Sequence, residues 1–313
     1  MQQETVSGLH ISPFTLGTVQ LGMDYGIANK QGRPDQDASF SILRNALEAG
    51  VCSFDTAHAY GESEQVLGSF FTDKDKATII TKSNPEYSIH TSEVELEKNM
   101  YCQVETSLTH LKINKLPALL IHNPDILLRH GTTVTAVLKK MRSEGLVDKA
   151  GVSFGANTDE QLQAIWDFVK DELYEVVQFP INILDHRMFH NGGFQKLKEA
   201  KKIVFARSIF LQGVLFFKAD ELPAHLVEAY EPLRILQDIS FKSGLSIAQL
   251  AVSFIRDLDV VHSLVIGVEN LEQLISTLSL MEGPELPEQV RQECMQRLAQ
   301  VPEKVVNTLF WSK

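Results

Sequence analysis

An α/β fold, an eight-stranded parallel barrel of the (β/α)8 TIM type, is what this sequence predicts, and three observations predict it. Short β-branched or apolar runs alternate with longer stretches of helical period, eight times along the chain. No linker or low-complexity segment interrupts the alternation. The 313 residues suit a barrel of about 250 residues with additions, although a prior of about 150 residues per domain also allows two domains. An open doubly wound sheet is the second architecture with this rhythm. The absence of a G-x-G-x-x-G stretch argues against it. One barrel domain over residues 1–313 is therefore expected.

The elements follow in order. TLGTV (15–19) is the first barrel strand, and FSILRNALEAG (40–50) is a helix that ends on glycine. VCSFD (51–55) and KATIITK (76–82) are the second and third strands, with the long helix VELEKNMYCQVETSLTHL (94–111) behind them. LPALLIH (116–122) is the fourth strand, and VTAVLKKMRSEG (134–145) supplies the helix after it. KAGVSF (149–154), EVVQF (175–179), KIVFARS (202–208) and SLVIGV (263–268) complete the set. Two pieces exceed a minimal barrel: a loop and helix at 213–242, after the seventh strand, and a helical tail around 287–299.

Composition narrows the partners. The chain is 44% hydrophobic and 22% charged, ordinary for a soluble globular protein. Its 29 Lys and Arg against 40 Asp and Glu give a net charge of −11, which repels phosphate backbones and anionic membranes. No run of about 18 apolar residues occurs, and MQQETVSGLH has no charged leader before an apolar stretch. Cys52, Cys102 and Cys294 form no CxxC pair and read as free structural thiols in a reducing cytoplasm. His186 and His190 have helical i, i+4 spacing, but in so polar a stretch they read as solvated rather than as metal ligands. No metal site is expected, and the oligomeric state is not legible.

Functional side chains of a parallel barrel gather at the C-terminal ends of its strands. Asp55 ends the second strand, Tyr60 lies in the loop after it, Lys82 ends the third and His122 the fourth. A carbonyl that accepts hydride becomes an alkoxide and needs a proton, which a phenol can supply. An ammonium about 4 Å from the phenol contributes up to about 4 kcal/mol at an effective dielectric near 20, roughly three pK units. An aspartate would hold that ammonium in place, and a neutral imidazole could orient the carbonyl. Each residue alone is more often a cap, a solvated charge or a loop side chain. The four in this order point to one site. His58 either lines its mouth or is an ordinary loop histidine.

With these residues the chain resembles the aldo-keto reductases, over most of its length. LGTVQLG (16–22) is similar to the family's first strand, FDTAHAYGESEQVLG (54–68) to its signature, and Asp55, Tyr60, Lys82 and His122 to its tetrad. GVSF (151–154) and VVQFPIN resemble the segments that hold the nicotinamide amide. ARSIFLQGVL (206–215) resembles the phosphate-side loop, and IGVENLEQL (266–274) the segment at the adenosine phosphate. ARSIFLQG also resembles a branch associated with bacterial sugar and polysaccharide pathways.

The resemblance implies an NAD(P)H-dependent oxidoreductase that reduces an aldehyde, ketone or sugar-like carbonyl, with Tyr60 as general acid. Its cofactor would be NADP(H), or NAD(H), and its partner a small carbonyl or sugar-like molecule. It implies cofactor contacts from Gly17, Thr18, Val19 and Asp55 on one side of the rim and from Ser153 and Gln178 on the other. Arg207, Ser208, Leu211, Gly213, Gly267, Glu269 and Gln273 complete that set. Several positions depart from the family pattern, among them Ser276 and Thr277 in place of a Glu-Asn pair near the adenine. Phe154 stands for an Asn, Arg207 for an aromatic that stacks on the nicotinamide, and Glu269 for an Arg at the 2′-phosphate. Two alternatives accompany this reading: oxidation of a sugar alcohol or hemiacetal, and a cofactor-binding regulatory barrel with little turnover. Only some 14 residues precede the first barrel strand, little room to join a channel-type partner.

Overall fold

The computed structural model describes residues 3–25, 32–71, 77–218 and 222–311. Its centre is a closed barrel of eight parallel strands. In chain order these are β3 (Phe14–Gly17), β4 (Ser53–Asp55), β5 (Thr78–Ser83), β6 (Leu116–Ile121), β7 (Val147–Ser153), β8 (Tyr174–Pro180), β9 (Ile203–Arg207) and β10 (Ser263–Gly267). Each expected strand is present, and β10 closes the ring on β3 with Gly267 beside Gly17. The runs read as nearly continuous apolar stretches because strands of this kind are covered on both faces. Alternate residues divide between two cores. Ile80, Leu120, Val176, Phe205 and Val265 fill the interior, while Leu16, Phe54, Ile79, Leu119, Val177 and Val204 pack outward against the helices.

The sequence reading missed a hairpin. β1 (Glu4–Val6) and β2 (Leu9–Ile11) pair antiparallel across Ser7-Gly8, both at positive φ, as a two-residue hairpin turn requires. Leu9 and Ile11 join the interior cluster and cover the N-terminal end of the barrel. Just inside it lies a layer of fully buried hydroxyls. Thr15 Oγ1 is 2.7 Å from Ser53 Oγ and 2.6 Å from Ser263 Oγ, and Ser12 Oγ donates to Phe14 O at 2.7 Å.

Helix boundaries moved where local chemistry was overlooked. The first long helix runs Gln36–Glu48 because Asp35 caps it, accepting from Ala38 N at 2.8 Å. The helix expected from residue 134 begins at Ile126, with a kink at His130. The addition after the seventh strand comprises 3-10 turns at Leu211–Phe216 and Ala224–Ala229 and the helix Tyr230–Ser243; residues 219–221 lie outside the described residues. So do Met1, Gln2 and Lys76, the residue with which the third strand was expected to begin. The tail is the helix Glu288–Arg297, followed by short turns at Glu303–Val306 and Thr308–Phe310.

Two side-chain expectations are corrected. His186 is not solvated: it is 3% exposed, stacked on Phe254, with Nε2 against Ile183 O at 3.0 Å. The polar letters around it concealed a loop that folds back onto the outer core. Cys102 is exposed on its helix, so only Cys52 and Cys294 are buried. Among the described residues no cluster of three His, Cys, Asp or Glu is arranged to hold a metal, and no helix is long and apolar enough to cross a membrane.

Candidate active site

The loop after β4 is built to carry a side chain back over the barrel mouth. Its backbone continues the ladder onto β5, with Thr56 N donating to Ile80 O and His58 N to Lys82 O. Gly61 takes a positive φ, and its partner Gly22 lies so close that a Cβ there would sit 1.9 Å from Tyr60 O. This contact fixes the turn that presents Tyr60. Beneath the loop, Thr18 and Thr56 both bond Ser63 Oγ, at 2.6 and 2.9 Å, and Thr18 Oγ1 donates to Asp55 O at 2.8 Å. Ser63 and Thr56 were not singled out from the sequence, although both lie within the quoted signature.

Asp55, Lys82 and Gln178 meet on the inner face. Lys82 Nζ donates to both carboxylate oxygens of Asp55 at 2.7 Å and to Thr56 O at 2.9 Å. Gln178 Nε2 donates to Asp55 Oδ1 at 2.7 Å, and Ser153 Oγ donates to Gln178 Oε1 at 3.4 Å. Lys82 is 1% exposed and Asp55 3%, so the pair is held in a low dielectric and each charge depends on the other. The same ammonium donates to Tyr60 Oη at 3.5 Å and lies 4.9 Å from the centre of its ring. The His122 ring stands nearly perpendicular to Tyr60, with centroids 5.7 Å apart. Burial pushes the imidazole pKa down to about 3, and the nearby Lys82 and Arg207 charges add to the effect. It is therefore neutral at ordinary pH and can donate or accept one hydrogen bond. His58 is half-buried, and its Nδ1 lacks a partner among the described residues.

The four residues read from successive strand ends thus share one mouth. The expected cofactor residues are more scattered. Thr18 is fully buried, and its hydroxyl is committed to supporting Asp55. Leu211 is buried as well, and its N–H donates to Ser208 O at 2.9 Å. Phe154 turns its side chain into the outer core, and its carbonyl accepts from Arg207 Nη2 at 2.7 Å. Ser208, Leu211, Gln212 and Gly213 all take positive φ, a strained turn on the rim. Successive N–H groups in such turns form anion-binding concavities. Val19 begins a one-turn helix directly after β3.

Gln20 is a residue the sequence reading missed. Its carboxamide packs against Gly267, and its Oε1 is buried without a hydrogen-bond partner among the described residues. On the outer side of β10, Glu269 accepts from Gln273 Nε2 at 3.3 Å, and Gln273 Oε1 accepts from Glu269 N at 2.9 Å. Glu269 lines an open cleft of about 370 Å³ with Asp35, Ala38, Ile42 and Asn270. No Lys or Arg lines that cleft among the described residues.

The family model described as the Aldo/keto reductase family matches residues 13–298. A 6-dehydroglucose reductase of Novosphingobium aromaticivorans is 30% identical over 200 residues, covering 59% of this chain and 60% of that protein. The rat aflatoxin B1 aldehyde reductase member 2 is 32% identical over 160 residues, 47% of this chain and 38% of its own length. The chain thus spans less than two thirds of either relative. The holo form of an aldo-keto reductase from Bacillus halodurans superposes with a TM-score of 0.76, covering 96% of this chain and 97% of that one at 21% identity. That likeness is one of fold.

Proposed function

The chain belongs to the aldo/keto reductase family, and from that premise we propose that it reduces an aldehyde, ketone or sugar-like carbonyl to the alcohol, with Tyr60 as general acid. The observation that carries the reading is the single ammonium of Lys82, bonded to both oxygens of Asp55 and to the Tyr60 hydroxyl. A reduced nicotinamide, when bound, supplies the hydride. The chain's own residues do the rest. The neutral His122 ring donates to the carbonyl oxygen and orients it. Tyr60 gives its proton to that oxygen as negative charge develops there, and Lys82 stabilises the charge left on the phenol oxygen. Asp55 holds the ammonium in place, with Gln178 fixing one of its oxygens.

Gly17 and Gly267, side by side where β10 closes on β3, support a nucleotide along that seam. The positive-φ turn at 208–213 supports its phosphates, and Ser153 and Gln178 its amide. The acidic cleft at Glu269 and Asp35 favours a free ribose hydroxyl over a 2′-phosphate, so NADH is used appreciably beside NADPH. Turnover of a panel of aldehydes and sugars with either cofactor tests the proposal. Tyr60→Phe, which keeps the ring, should lose at least about a hundredfold in kcat with cofactor affinity nearly unchanged. A variant retaining more than about a tenth of wild-type kcat removes Tyr60 from the acid role. An NADPH preference above about a thousandfold removes the reading of the acidic cleft.

A further inference from the structure

Arg207 ends β9 beside Val265 of β10, whose side chain belongs to the barrel interior. The arginine is half-buried. Its Nη2 donates to Phe154 O at 2.7 Å and its Nη1 to Ser208 Oγ at 3.3 Å. Both acceptors are neutral, and two of five N–H donors are thereby used. Among the described residues the guanidinium has no carboxylate partner. Lys82 differs in this respect, because Asp55 neutralises it. Arg207 ends β9, Lys82 lies at the end of β5 and His122 directly follows β6, so all three sit on the C-terminal rim of the barrel. Counting charges there, the Lys82–Asp55 pair sums to zero, the imidazole is neutral and Arg207 remains. An acidic chain of net charge −11 thus keeps at its rim a cation that no carboxylate pairs among the described residues.

A half-buried cation held by neutral acceptors is poorly compensated, and an incoming anion gains from it. We propose that Arg207 is a specificity-determining residue that receives a carboxylate on the carbonyl substrate. This rests on the reading of the site as a carbonyl reductase. The planar fork suits a carboxylate, whose two oxygens can take two parallel N–H donors. The bonds to Phe154 O and Ser208 Oγ fix the fork before the substrate arrives, so little side-chain entropy is lost on binding. The substrate class that follows is an oxo acid or an aldehyde bearing a carboxylate.

Paired substrates test this. The protein is assayed with 4-carboxybenzaldehyde and with its methyl ester, which has nearly the same shape without the charge. Arg207→Met should lose at least about tenfold in kcat/KM on the acid, ~1.4 kcal/mol, chiefly through KM. The ester should change less than about threefold, and Arg207→Lys should recover part of the loss on the acid. Equal losses on both substrates overturn the proposal. So does an unchanged acid rate with a shifted ratio of affinities for oxidised and reduced cofactor, which would assign the guanidinium to the nicotinamide. A parallel titration of benzoate against benzamide reads the site without turnover. If neither aldehyde reacts, the reductase reading fails by itself. Benzoate binding weakened at least about tenfold by Arg207→Met then still supports the carboxylate site, and unchanged binding refutes it.

Discussion

At the N-terminal end of the barrel, Ser12, Thr15, Ser53 and Ser263 are fully buried and bonded to one another beneath Leu9 and Ile11. At the C-terminal rim, Asp55, Lys82 and Gln178 are almost as deeply buried, yet they are charged or hold charge, and their neighbours keep unused donors and acceptors. Hydroxyls both donate and accept, so a closed layer of them satisfies itself with no net charge. An ion pair in the same dielectric gains little net stability over an apolar substitute. The closed end therefore reads as structure, and the open end as chemistry that the fold tolerates. A cleft of about 840 Å³ at the N-terminal side of β8 makes the same contrast on the outside. Much of its charged lining is paired, Arg142 with Glu175 at 3.1 Å, Lys139 with Asp171 at 3.7 Å and Lys170 with Asp167 at 2.6 Å.

The largest test of that contrast is removal of one partner of the rim pair. Lys82→Met leaves the Asp55 carboxylate buried with no counter-ion and should cost about 3–5 kcal/mol in chemical denaturation, with activity lost. The double variant Asp55→Asn with Lys82→Met should recover most of the stability and none of the activity. A double variant as unstable as the single one would show the pair to be structural, and the contrast would collapse.

The complementary change is at the closed end. Thr15→Val strips Ser53 and Ser263 of a shared partner and should cost about 1–3 kcal/mol. Its kcat and KM should stay within about twofold of wild type. A kinetic loss beyond tenfold in a variant that is still folded would mean that the two ends are coupled.

The smallest effect to be read is a pH dependence specific to the rim, about 1 kcal/mol between pH 6 and 5. His122 takes up a proton at about 3 when folded and near its usual 6.5 when unfolded. Below about pH 6.5 the unfolded chain binds that proton first, so falling pH favours unfolding. The stability is complete above pH 6.5 and erodes towards pH 3, at up to about 1.4 kcal/mol per pH unit. His186 and His262 are pushed down by burial too, so the wild type should be compared with His122→Gln. The difference in slope between pH 6 and 5 isolates His122, and equal slopes would place its ring in water.

Much of this was legible in the sequence. The eight strands could be read because burial on both faces leaves an apolar run that needs no knowledge of partners. Asp55, Lys82 and His122 could be read because a strand end is a local event, and parallel strands bring all such ends to one rim. The hairpin was missed although Ser7-Gly8 is its turn signal, since Glu4–Val6 is too short and polar to stand out. The solvated reading of His186 failed because a loop's destination is not local.

What the sequence by itself determined, then, is the rhythm of the fold and the residues delivered to the rim. What only the tertiary structure decided is which polar groups meet and which are left over. Thr15 and Ser263 are 248 residues apart and touch because β10 closes on β3; Gln178 reaches Asp55 across 123 residues. Neither contact has a local signal, because each partner is chosen by ring closure and strand register. The unspent capacity of the Arg207 fork and the Gln20 oxygen emerges in the same way. A polar group is left with unused capacity only by the arrangement of everything packed around it, and that arrangement exists once the barrel has closed.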